Sequence, residues 1–222
     1  MHTTRHRRGL SLVTQLTIGL IVAGTLAACG SDDTSSGSSA AKSAGNGIDR
    51  AFVDDMVPHH ESAVEMAEVA ERRGQSTFVK ELAGDIISSQ KQEITTMKSI
   101  ASRLEAAGVK AESLGVPEHQ MGMDSDVSEL KTAKPFDRAF IDMMVPHHQG
   151  AIRMARVELA KGSSAQAKQL ATQIISAQAS EILAMNKHRT AEFGGPSPAG
   201  GVPADDGKKE DADHGGTGMD HG

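Results

Sequence analysis

Two stretches of this chain, 88 residues apart, carry nearly the same text. Asp49–Gly74 reads DRAFVDDMVPHHESAVEMAEVAERRG and Asp137–Gly162 reads DRAFIDMMVPHHQGAIRMARVELAKG. The register continues without a gap through Met97 and Met185, with 26 identities in the 50 pairs that join residues 49–98 to 137–186. The chain is a tandem duplication. Each copy spells one helical hairpin, which cannot bury both of its apolar faces alone, so the two copies have to pack on each other as a bundle.

The helices follow from spacing. Phe52, Met56, His59, Ala63, Met66 and Ala70 recur at steps of three and four, as do Phe140, Met144, His147, Ala151 and Met154. That is a helix stripe. Asp49 and Asp137 read as N-caps, Gly74 and Gly162 as helix ends, and Pro58 and Pro146 predict kinks two turns in. The second helix of repeat one is expected from about Ser76 to Ala106, with Leu82, Ile86, Ser89, Glu93, Met97, Ile100 and Leu104 inward. Its counterpart runs from about Ser164 to Arg189, with Leu170, Ile174, Ala177, Glu181, Met185 and His188 inward. No segment alternates as a strand would. The expected fold is all-α: a four-helix domain over residues 48–190, made of repeat one (49–106), a linker (107–134) and repeat two (135–190). The linker is longer than a turn, carries His119, Met121 and Met123, and has a short helical signal over residues 125–131.

The ends read differently. Arg5, His6, Arg7 and Arg8 precede an apolar run, so residues 1–28 read as a signal peptide. The sequence Leu26-Ala27-Ala28-Cys29 resembles the bacterial lipobox, which implies cleavage before Cys29 and a lipid on its thiol. Cys29 is the single cysteine, which excludes a disulfide framework and a Cys-based zinc site. Residues 29–47 are expected to be a flexible tether and residues 191–222 a disordered acidic tail, whose Asp213-His214 and Met219-Asp220-His221 read mainly as a soluble end. The expected location is the extracytoplasmic face of the cell membrane, anchored through the lipid. Loss of residues 1–28 removes Arg5, Arg7 and Arg8 and moves the formal charge from -6 to -9. So acidic a protein lacks the footprint of a nucleic-acid binder and attracts cations. The sequence names no protein partner.

The duplicated stripe is chemically odd for a core. Met56 and His59 share a helix face, His60 borders it, and Glu93 and Met97 lie four apart on the next helix. The same set returns as Met144, His147, His148, Glu181 and Met185. Taken singly, Met66, Met97, Met154 and Met185 read as core packing. Taken together, Met56, His59, His60, Glu93 and Met97 with Met144, His147, His148, Glu181 and Met185 are the expected metal ligands, with His59 and His147 inward and His60 and His148 flanking, since neighbours on a helix diverge by about 100°. Di-iron bundles place Glu-x-x-His on two helices and Glu on the others. Here Met replaces Glu in Met56-x-x-His59 and Met144-x-x-His147, which moves the expected metal from iron toward copper. Gln90 and Gln178 are expected beside an imidazole, and Asp54 and Asp142 in ion pairs with Arg50 and Arg138.

Asp-Arg-x-Phe-x-x-x-Met-Val-Pro-His-His, followed by Ala and Met-Ala, resembles domain-of-unknown-function family 305 over residues 48–190, including Met121 and Met123. The resemblance implies a ferritin-like bundle in a secreted or lipid-anchored protein, with copper binding or tolerance among the functions and Met56, His59, His60, Met144, His147 and His148 as candidate positions. His188 stands where repeat one has Ile100, so the halves are not equivalent. The reading is a copper-sequestering or copper-handling protein, with the sequence leaving turnover open. The alternatives are a ferritin-like oxidase using iron or copper, and a metal-free domain in which His59 and Glu93 satisfy each other.

Overall fold

The structure, a computed structural model, describes residues 44–123 and 126–205. The signal segment, Cys29, most of the tether and the chain after residue 205, with Asp213, His214, Met219, Asp220 and His221, lie outside the described residues. Among the described residues five α-helices follow in order: α1 Gly47–Arg73, α2 Thr77–Ala106, α3 Val127–Leu130, α4 Phe136–Lys161 and α5 Ala165–Phe193, with a 3-10 turn at Glu118–Gln120. No strand occurs among the described residues, and no described helix is long and apolar enough to cross a membrane.

The three-residue connections 74–76 and 162–164 fold α1 back on α2 and α4 back on α5. Ser76 and Ser164 set the starts of α2 and α5, accepting from the Val79 and Ala167 amides at 3.2 and 3.3 Å. The expected caps of the first helices are corrected. Asn46 is the N-cap of α1, with Asp49 three residues in, and Pro135 precedes α4. Asp49 closes a capping box by accepting from the Asn46 amide, and both Asp49 and Asp137 work across the duplication. Asp49 accepts from the Ser163 and Ser164 amides of repeat two at 3.1 and 2.8 Å, and Asp137 accepts from the Gln75 and Ser76 amides of repeat one, both at 2.8 Å. Each carboxylate thus meets the positive start of a helix in the other hairpin. The exchange fixes α1 antiparallel to α4 and gives the two repeats an approximate two-fold relation.

Two apolar clusters follow from that relation. One gathers Phe52 and Met56 of α1, Met97, Ile100 and Leu104 of α2, Met154 of α4, and Leu170 and Ile174 of α5. The other gathers Met66 of α1, Leu82 and Ile86 of α2, Phe140 and Met144 of α4, Ile182 and Met185 of α5, and Leu130 of α3. At the waist between them both second helices turn inward a different residue from the one expected. Gln90 and Gln178 are buried, whereas Ser89 and Ala177 are exposed and Glu93 and Glu181 are only half-buried. The inward rows run 82-86-90-94-97 and 170-174-178-182-185, because a row kept at steps of four drifts round the helix before a step of three restores it.

The tail begins later than expected. α5 continues to Phe193, and residues 194–204 lie along α4 and α5. Gln149 donates to the Ala199 and Gly201 carbonyls at 2.8 and 2.7 Å, Arg189 to those of Gly195 and Pro196, and Arg156 to that of Pro203 at 2.9 Å. A Gly/Pro-rich composition reads as tail, but its carbonyls find donors on two helices.

Candidate metal centre

Pro58 and Pro146 sit inside unbroken helices and deliver the two His-His pairs to the waist of the bundle. All four imidazoles are buried, with His59 and His147 1% exposed and His60 and His148 0%. The expectation of one inward and one flanking His per helix is therefore corrected. α1 packs against both α2 and α4, so it buries a face wide enough for adjacent residues. The rings form a row, His60–His59–His147–His148, with centroid separations of 6.2, 3.8 and 6.3 Å. The shortest step joins His59 to its own repeat partner His147, so the approximate two-fold axis passes between them.

Each ring but one has a partner at Nε2. His60 meets Glu93 Oε2 at 2.8 Å and His148 meets Glu181 Oε2 at 2.6 Å. His59 meets the Met121 carbonyl at 2.8 Å, and as that oxygen can only accept, His59 donates its Nε2–H. Glu93 and Glu181 thus engage the outer histidines, and the imagined His59–Glu93 pair does not form. In the neutral tautomers set by these acceptors, the Nδ1 atoms of His59, His60 and His148 carry lone pairs. All three are buried without a partner, as are both ring nitrogens of His147 and the side-chain amides of Gln90 and Gln178. The expected Gln–imidazole hydrogen bonds are not formed.

Electrostatics keep the inner pair neutral. Burial, and after it the nearby His60, lowers the His59 pKa to about 3; burial and then His59 hold His147 well below its ordinary value. Neutral imidazoles are the form that gives a lone pair to a metal. An unpartnered buried polar group costs about 1–3 kcal/mol, and five ring nitrogens plus two amides approach the whole stability of a typical domain. A soft cation taking up imidazole lone pairs fits this donor set. No three His, Cys, Asp or Glu donors converge on one point among the described residues, so such a cation would complete its shell with thioethers. The buried Met56 and Met144 stand one turn before His59 and His147, and Met97 and Met185 occupy the same two apolar clusters.

The linker supplies a partner that the side-chain pattern does not show. Met121 presents its backbone carbonyl, and the approach depends on two glycines. A Cβ at Gly122, which has φ +75°, would lie 2.4 Å from the Pro146 carbonyl oxygen, and one at Gly150 would lie 1.7 Å from that of Met121. Repeat one has Ser62 at the position of Gly150. That difference is the sequence signal for the contact. His119 and Met123 are exposed and outside the row. His188 stacks on Phe78 at 4.4 Å, away from the waist, and the expected pairs of Asp54 with Arg50 and Asp142 with Arg138 are present at 2.7 and 3.6 Å.

The family described as Domain of unknown function (DUF305) matches residues 49–189. The chain belongs to this family. Among solved structures, the DUF305 domain is similar to CopM in its Cu(I)-bound form, at 33% identity and a TM-score of 0.57 over 65% of this chain and 97% of that one. The Cu(II)-bound form of CopM gives 32% identity and a TM-score of 0.58 over the same shares. A DUF305 protein from Streptomyces coelicolor gives 30% identity and a TM-score of 0.57 over 71% of this chain and 97% of that one. An uncharacterized protein of Acanthamoeba polyphaga mimivirus is 40% identical over 52 residues, 23% of this chain and 34% of that protein, so the match spans about a third of that relative.

Proposed function

We propose that this protein binds copper outside the cytoplasm and sequesters or hands it on, held to the membrane through a lipid on Cys29. The observation that carries the reading is the row of four buried imidazoles with unpartnered Nδ1 atoms, lying between two methionine-bearing clusters. His59 and His147 are the central ligands, with His60 and His148 beside them. Met56, Met97, Met144 and Met185 are the thioether candidates, and their softness favours Cu(I). Glu93 and Glu181 orient the outer rings by accepting their Nε2–H, as carboxylates beside metal-bound histidines commonly do. Similarity to CopM, solved with Cu(I), Cu(II) and silver bound, supports the choice of metal.

The metal-free alternative accounts for His60–Glu93 and His148–Glu181 but leaves His147 with no partner at either nitrogen. The oxidase alternative lacks carboxylates, since the two at the waist are already hydrogen-bonded to histidine. The test is anaerobic Cu(I) titration against a chromophoric competitor. His59→Ala/His147→Ala should weaken binding by a factor of about 100 or more, each lost ligand being expected to contribute on the order of 1.4 kcal/mol or more, while circular dichroism shows the helices retained. Unchanged affinity removes the claim.

A further inference from the structure

An ion held by the imidazole row needs a route from solvent. His60 is fully buried, yet its Nε2 touches Glu93, whose side chain keeps 17% of its surface exposed. Glu93 also lines a cleft of about 380 Å³ between α2 and α5, together with Ser89, Thr96, Gln166, Gln169 and Gln173. The cleft therefore presents one carboxylate among neutral hydroxyls and amides, with Leu170 and Ala177 as its apolar wall. Such walls hydrate a passing cation without trapping it, while the single negative charge attracts it to the point of contact with the buried ring. Across the approximate two-fold, Gln166, Gln169 and Gln173 are replaced by Phe78, Glu81 and Asp85, and Phe78 is stacked on His188.

We propose that the α2–α5 cleft is a one-sided port for metal ions, in which Glu93 captures the cation beside His60 at the end of the imidazole row. This rests on the metal-binding reading. On capture, Glu93 exchanges its hydrogen bond with His60 for the cation; on release the bond reforms and the ring is again held in place.

The test plugs the cleft at its exposed walls. In the full chain, Gln169→Trp/Gln173→Trp should slow both Cu(I) uptake and release by about tenfold in stopped-flow transfer with a chromophoric ligand, leaving the equilibrium affinity within about twofold, as gating of access requires. Glu81→Trp/Asp85→Trp, at the positions of α2 related to Gln169 and Gln173 by the duplication, should leave both rates unchanged. Equal slowing by the two pairs, or no slowing by the glutamine pair, overturns the port. A metal-free readout separates this from the metal-binding reading: diethyl pyrocarbonate modification of His60, read by tandem mass spectrometry, should fall in the glutamine-pair variant. Unchanged modification overturns the port whatever the copper result. Failure of the unsubstituted protein to bind Cu(I) more tightly than His59→Ala/His147→Ala overturns the metal-binding reading instead and leaves His60 modification to decide the port.

Discussion

At His60 a single hydrogen bond decides which nitrogen faces the interior. Glu93 accepts at Nε2, so the lone pair of the neutral ring sits at Nδ1, and Glu181 does the same for His148. Glu93→Gln replaces a charged acceptor by an amide and weakens both orientation and ligand basicity. Competition titration should show Cu(I) affinity reduced by about 10- to 100-fold, with Glu181→Gln giving a similar loss; no change in either variant would deny the carboxylates their orienting role. His59 adds a proton-linked effect. Its folded pKa of about 3 lies below the unfolded value of 6.5, so between these limits the unfolded chain binds more protons and folding weakens as pH falls. Urea unfolding of the metal-free protein should show stability lost from about pH 6.5 down toward about pH 3, and less of that loss in His59→Leu. An identical pH profile in the variant would mean that His59 does not carry this linkage.

The helices owe their arrangement to residues whose partners are far away in the chain. Removing the exchanged cap by Asp49→Ala should cost about 1–3 kcal/mol in urea denaturation, as loss of a buried charged acceptor does, and Asp137→Ala should cost a similar amount. An effect below about 0.5 kcal/mol, the level of an ordinary surface change, would show that the exchange does not hold the hairpins together. Among the differences between the two ends of the bundle, Glu158 stands where repeat one has Ala70. Burial and the facing Asp49 push the Glu158 carboxyl up to about 8, above its unfolded value of 4.5. The folded state therefore favours the protonated acid, and that advantage is lost as pH rises from 4.5 through about 8. Glu158→Gln should flatten the alkaline fall in melting temperature; an unchanged slope would place the titration elsewhere. Helix spans were readable because Ser76 and Ser164 cap locally, whereas Asp49 and Asp137 were misread because their acceptor role crosses between repeats. The same limit applies to the stripe: spacing places an inward row to within one residue, and that residue separates Ser89 from Gln90, Glu93 from Ile94, and His59 from His60 as the neighbour of α2.

For the whole molecule the duplication was the most legible property, since a repeated hairpin implies a bundle with an approximate two-fold axis and like residues meeting on it. His59 and His147 meet there at 3.8 Å. What breaks the symmetry was hidden. The linker reaches α4 because repeat two has Gly150, and residues 194–204 dock because Gln149, Asn186 and Arg189 offer donors to their backbone, neither of which composition shows. What surrounds copper in the loaded protein decides whether its site lies at the centre of the bundle. X-ray absorption at the copper edge of the Cu(I)-loaded chain should show imidazole nitrogen together with thioether sulfur, and His59→Ala/His147→Ala should reduce the imidazole signal. A spectrum without imidazole, or one that the double substitution leaves unchanged, would contradict a copper site at the centre of this bundle.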